Sequence, residues 1–195
     1  MLRSADTFHL PTLNEATRIR DFRGVPLVVS QIEPSQVGEV AQYLRHHAAP
    51  RLQNCSHKDI IGLLVRAARL WLADDSTYMT TALEFLPDLT GYSRPVIEYY
   101  LQHFFSQITN DHLHRLLDDS QLTSRPITPA PPLPRFAARL VTHFCSGNIP
   151  GLAVEAIIFS LLARAPALIK VSSDEPLQAA LFARSLEEIS PNLAK

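Results

Sequence analysis

The arrangement that most limits how this chain can fold lies in residues 143–176. H-F-C-S-G-N-I-P-G at 143–151 is answered by A-L-I-K-V-S-S-D-E-P at 167–176, and an apolar segment, 152–164, runs between them. The pattern reads strand, Gly/Pro turn, helix, strand, turn, helix. Two strands joined through a helix are parallel, because the crossover carries the chain back to the end of the sheet where the first strand began. The stretch therefore predicts a βαβα unit. In open α/β sheets ligands bind off the carboxyl ends of the strands, which puts both turns on one side. The first turn offers backbone N–H groups at a helix N-terminus. The second sets Lys170 at the end of an apolar strand.

The elements of this unit follow from its periodicity. Residues 139–144 read as a strand. A helix from Pro150 carries Ala153, Ile157, Ile158, Leu161 and Leu162, and proline is tolerated at a helix start because the first N–H groups have no intrahelical partner. Residues 167–171 form a second strand, and a last helix carries Leu177, Ala180, Leu181, Leu186 and Ile189 up to Ser190-Pro191-Asn192. Parallel sheets are normally covered on both faces. Two strands leave edges and a face bare, so the expectation is a truncated unit, the opening of a larger domain.

Upstream the pattern is different. Residues 1–23 are mixed and polar, and predict a loosely held lead-in with one short helix. Residues 24–30 are β-branched and apolar, a strand in which Pro26 argues for an edge or a strand start. Ser35 reads as an N-cap before Val37, Val40, Ala41 and Leu44. Ser56-His57-Lys58-Asp59 resembles a capping box ahead of a stripe formed by Ile60, Ile61, Leu64, Ala67, Ala68, Trp71 and Leu72. A shorter helix covers 77–86, closed by Pro87. Ser93 caps a helix bearing Ile97, Tyr100, Leu101, Phe104 and Phe105, and Asn110 caps one bearing Leu113, Leu116 and Leu117. Residues 1–122 thus read as a mainly helical region with a core of its own. Five prolines (126, 129, 131, 132 and 134) mark 123–135 as an extended connector, or as an ordered strap over the sheet. Residues 136–195 are then the incomplete βαβα domain, and the fold class is α/β.

Composition excludes several functions. The 195 residues carry a formal net charge of -1, which gives no basic face for nucleic acid. No apolar run reaches the length of a membrane span, and residues 1–10, with Arg3, Asp6 and His9, lack the continuous apolar core of a signal peptide. Cys55 and Cys145 form neither a framework nor a C-x-x-C pair, so a reduced, cytoplasmic setting is expected. His46-His47, His103, and His112 with His114 give no metal-ligand spacing, and no metal is expected.

G-N-I-P-G at 147–151, followed by a helix and L-I-K-V-S-S-D-E-P-L at 168–177, resembles the acyl-CoA reductase family typified by the fatty-acid reductase of bacterial luminescence. That family belongs to the aldehyde dehydrogenase superfamily. The likeness covers the C-terminal third closely and extends more loosely to L-T-G-Y-S at 89–93. It implies the start of a Rossmann-type cofactor domain and reduction of long-chain fatty acyl-CoA to aldehyde. In that chemistry a thiolate attacks the acyl carbonyl, an oxyanion hole holds the tetrahedral oxygen, and a nicotinamide delivers hydride to the acyl-enzyme.

The resemblance assigns roles residue by residue. Asn148 matches the asparagine whose amide donates to the oxyanion; its plainer reading is an Asx-turn before the helix. Lys170 matches the cofactor lysine that reaches the adenosine ribose; its plainer reading is a lysine snorkelling at a strand end. Relatives that prefer NAD often place a glutamate three residues after this lysine. Here that position is Ser173, which removes a like-charge clash with a 2′-phosphate that Lys170 would pair, so NADPH is the expected cofactor. Ser172 and Ser173 equally suit ordinary turn chemistry, and Ser146 and Gly147 would shape the first turn for the nicotinamide half.

The catalytic cysteine of these enzymes lies much later in the chain, so Cys145 reads as a small strand-end residue and Cys55 as structural. Glu155 does not match the catalytic glutamate and reads as a surface position or a contact with the missing part. The chain alone is therefore expected to be inactive, its partners being the acyl-CoA substrate, a missing C-terminal half, or a second copy of itself. The rival reading is a non-catalytic helical interaction domain with a vestigial nucleotide-binding unit. A polar, self-contained outer face on the βαβα unit would favour the rival.

Overall fold

A computed structural model describes residues 5–10, 16–119, 138–146 and 151–194. The connector at 123–135, and Gly147 and Asn148 in the first turn, lie outside the described residues. The fold is mixed α/β and rich in helix.

Among the described residues the N-terminal stretch is built of strands, where a loosely held lead-in was expected. β1 (Ala5–Asp6) pairs parallel to β3 (Val25–Gln31), and β2 (Ala16–Phe22) pairs antiparallel to the other side of β3. The signal lay in Thr17-Arg18-Ile19-Arg20-Asp21-Phe22, where polar and apolar groups give no helical stripe. Arg23 and Gly24 both adopt positive φ (54° and 84°), the twist that a tight two-residue hairpin turn requires. The Gly24 N–H donates to the Asp21 carboxylate at 2.9 Å. Pro26 is the second residue of β3, a strand start as expected, but β3 is the central strand and not an edge. The missing N–H is tolerated because β1 reaches only Leu27 and Val28.

α1 (Pro34–Tyr43) is capped by Glu33 and not by Ser35. Pro34 takes the first helical position, and the Glu33 N–H donates to Gln36 Oε1 at 2.9 Å. A π-helical turn (Leu44–Ala48) joins α1 to α2 (Ala49–Asn54), because Pro50 has no N–H to continue the α-ladder. α3 (His57–Leu72) begins with the expected capping box: Ser56 Oγ accepts the Asp59 N–H at 3.1 Å, and the Asp59 carboxylate accepts the Ser56 N–H at 3.3 Å. α4 (Thr77–Thr90) does not stop at Pro87 but runs through it. The Leu83 carbonyl that Pro87 leaves without a donor accepts the Arg94 guanidinium instead, at 3.3 Å. The helix ends at Gly91, at φ 78°. α5 (Arg94–Ser106) follows, with Ser93 at the cap position but no side-chain cap bond. α6 (Asn110–Asp119) is capped by Thr109 and not by Asn110, since Thr109 Oγ1 accepts the His112 N–H at 3.2 Å.

β4 (Val141–Phe144) and β5 (Ala167–Lys170) pair in parallel, with Val141 opposite Ala167 and Phe144 opposite Lys170. α7 (Leu152–Leu162) is the crossover between them, and α8 (Gln178–Ile189) follows β5; a short helix, α9 (Pro191–Ala194), comes after it. The βαβα pattern is thus the observed chain path.

The apolar core is one cluster. It runs from Leu27 through Ile60, Leu64, Trp71, Leu86, Leu89, Leu101 and Phe105 to Val154, Ile158, Leu177 and Phe182. α8 lies against α3, α4 and α7. Trp71 stacks on Phe105 with ring centroids 4.4 Å apart, and its indole N–H donates to Ser185 Oγ on α8 at 3.0 Å. Full burial of each such aromatic stabilises by roughly 1.5–3 kcal/mol. Among the described residues, no helix is long and apolar enough to cross a membrane.

Candidate functional site

Parallel pairing puts the carboxyl ends of β4 and β5 side by side. The last rung joins them beyond the strands: the Cys145 N–H donates to the Lys170 carbonyl at 3.0 Å. The turns leaving both strands therefore start from one edge of the sheet. Ser146 and Lys170 are exposed there, Ser172 is half-buried and Ser173 exposed. Ser146 follows Cys145 on one side of that rung, and Ser172 and Ser173 follow Lys170 on the other; Gly147 and Asn148 lie outside the described residues. Ser172 Oγ accepts the Asp174 N–H at 3.0 Å, which is the turn chemistry its residue type suggested.

The side of the sheet facing α7 is set by His143, whose Nε2 lies 2.8 Å from the buried Ser160 hydroxyl. Alternation then turns Thr142, Phe144, Leu168 and Lys170 to the opposite face. Phe144 is 80% exposed there. The outer face is mixed, with an aromatic ring and a leucine beside a threonine and a lysine.

Neither cysteine has the setting of an activated nucleophile. Burial pushes the Cys145 thiol up, against the lowering effect of Lys170. Burial and then Asp59 push Cys55 up, opposed by Arg164, and its Sγ donates to the Arg51 carbonyl at 3.3 Å. Glu155 is exposed on the first turn of α7. No group of three or more His, Cys, Asp or Glu side chains among the described residues could hold a metal.

Three participants were not legible in the sequence. Arg23, in the β2–β3 turn, reaches the second turn: one guanidinium nitrogen lies 3.6 Å from Asp174 Oδ1, and the other donates to the Leu89 carbonyl at 3.1 Å, near the end of α4. Glu175 turns inward, and its Oε1 accepts the N–H groups of Leu177 (2.9 Å) and Gln178 (2.7 Å) at the start of α8. Burial raises its pKa above the usual carboxylate range, against the lowering effect of those two bonds. Tyr100, on α5, lies against Gly151 at the start of α7. Tyr100 had a place in the apolar stripe of its helix, but nothing local joins it to a glycine so far along the chain.

A family model described as acyl-CoA reductase (LuxC) matches residues 52–195. No curated protein matches the chain.

Proposed function

The chain belongs to the acyl-CoA reductase (LuxC) family, and we propose on that ground that it takes part in NADPH-dependent reduction of long-chain acyl-CoA to aldehyde. A reductase-type activity follows from the family; the cofactor, the chain length and the residue roles are our reading. The observation that supports it is the rung from Cys145 to Lys170, which joins the strand ends that both motif-bearing segments leave, at the edge where parallel α/β sheets generally take ligands.

In this reading residues 136–195 open an aldehyde-dehydrogenase-like, Rossmann-type unit, with 1–122 the helical region and 123–135 between them. The exposed Lys170 ammonium and the hydroxyls of Ser172 and Ser173 suit a phosphorylated ribose, being one cation and two uncharged donors. Arg23 supports the phosphate-bearing form, because it offsets the charge of Asp174 beside Ser173. Ser146 and Gly147 shape the nicotinamide side, and Asn148 donates to the oxyanion. The bound cofactor supplies hydride. A thiolate that belongs to neither Cys55 nor Cys145 attacks the thioester carbonyl and expels CoA as its thiolate. Collapse of the reduced acyl-cysteine returns the thiolate and frees the aldehyde. The unpaired cysteines suit a reducing, cytoplasmic setting. The outer sheet face, with Phe144, is where further sheet or a second copy would pack.

Binding of NADPH and NADH to the chain, followed by nicotinamide fluorescence, tests the reading. NADPH is expected to bind more tightly, and Lys170→Ala to weaken NADPH by about tenfold with less effect on NADH, the loss of one charge-assisted contact. Clear preference for NADH would sink the cofactor assignment.

A further inference from the structure

The junction of α5 with the starts of α7 and α8 holds polar groups that the helical packing does not require. Gly151 has a left-handed backbone, φ 83°. Tyr100 Oη occupies the space over its α-carbon: a β-carbon there would overlap that oxygen and lie 3.1 Å from Tyr100 Cζ. Only glycine fits, for both reasons. The Gln178 side chain, fully buried at the first position of α8, lies beside the phenol. Among the described residues, Tyr100 Oη and both Gln178 amide atoms are buried without a hydrogen bond of good geometry. Burial pushes the phenol up to about 12, with the Gln178 side chain opposing. A phenylalanine at 100 and an apolar residue at 178 would remove the desolvation cost of these groups.

We propose that Tyr100 is a positioning residue: its hydroxyl, seated over Gly151 and beside Gln178, fixes the first turn of α7 against the start of α8. Resting on the reading above, it thereby holds the start of α8, which follows the segment of Lys170, Ser172 and Ser173, in place for the cofactor. The apolar ring anchors it, since Phe104 packs beside it at 5.9 Å between centroids and also approaches Gly151. The hydroxyl is the part that touches the turn. Stability and function therefore pull in opposite directions at this residue, a pattern expected of functional positions.

Tyr100→Phe keeps the ring and deletes only the hydroxyl, so the variant is expected to fold. Three readouts separate the roles. The melting temperature is expected to hold or rise. Amide hydrogen exchange at Glu155, whose N–H donates to the Gly151 carbonyl at 2.9 Å, is expected to quicken about five- to tenfold while α3 amides stay protected. NADPH affinity is expected to fall by a similar factor, because the start of α8 is no longer held. Unchanged exchange at Glu155 would overturn the proposal, as would a loss of affinity that tracked a loss of stability. If the unmodified chain bound no NADPH, the cofactor reading and the functional clause resting on it would fall. The exchange measurement would still decide whether Tyr100 sets the turn.

Discussion

Glu175 places a carboxylate inside the protein, where, among the described residues, two backbone N–H groups meet it. Its pKa is raised by burial, so the folded state holds the proton longer than the unfolded chain. The stability linked to this group is fully present below the ordinary carboxylate pKa and is lost as pH rises through the elevated one. Thermal melts between about pH 4 and pH 8 should show this decline. Glu175→Gln should flatten it; a Gln profile that overlays the parent would refute the assignment. Ser185 gives a second test. It accepts the buried Trp71 N–H and donates to the Phe182 carbonyl at 2.7 Å. Ser185→Ala leaves the indole N–H unsatisfied and is expected to cost about 1–3 kcal/mol in denaturant unfolding. The chain's one tryptophan reports directly on that site. At this scale the sequence was legible where the interaction was local. The Ser56–Asp59 box closes within three residues. Tyr100 and Gly151 are far apart in sequence, and no local pattern encodes their meeting.

Helix ends and interruptions explain most differences between pattern and element. Pro87 suggested a stop because an interior proline removes one hydrogen bond and crowds the preceding turn. The helix continues because Arg94 supplies the donor, from beyond Gly91 and therefore beyond any single-helix pattern. The claim is testable by a double-mutant cycle. Arg94→Ala is expected to cost about 1 kcal/mol in the parent. In a Pro87→Ala background, where the new N–H can reach Leu83, it should cost much less. Equal costs would mean that Arg94 does not serve the Leu83 carbonyl. The caps of α1 and α6 were misplaced by two residues and by one for a related reason. Several oxygen-bearing side chains stood near each start, and the backbone entry angle chose among them. By contrast the βαβα path was legible, because two apolar strands and an apolar crossover leave few ways to bury their surface. β1 was not: two residues pair only because β3 is there to receive them.

Across the whole molecule, the packing of α8 joins both halves of the sequence. Its Phe182 and Leu186 share a cluster with Trp71, Phe105 and Leu101. The helical region and the crossover unit are therefore expected to unfold together. Trp71 fluorescence and far-ultraviolet circular dichroism should give coincident denaturation midpoints. Separated midpoints would show that α7 and α8 can detach while α3 to α5 persist.

Arg184, on the same helix, donates to the main-chain carbonyls of Asp6 (3.3 Å) and Phe8 (2.7 Å), across 178 and 176 residues. On the ribosome this fixes a timetable. The first strand is synthesised early, and its clamp arrives only after nearly two hundred residues. Until then Phe105 waits without the Phe182 ring, and Trp71 without the Ser185 hydroxyl that accepts its N–H. A nascent chain of this design keeps apolar surface uncovered while the 178 residues from Asp6 to Arg184 are made.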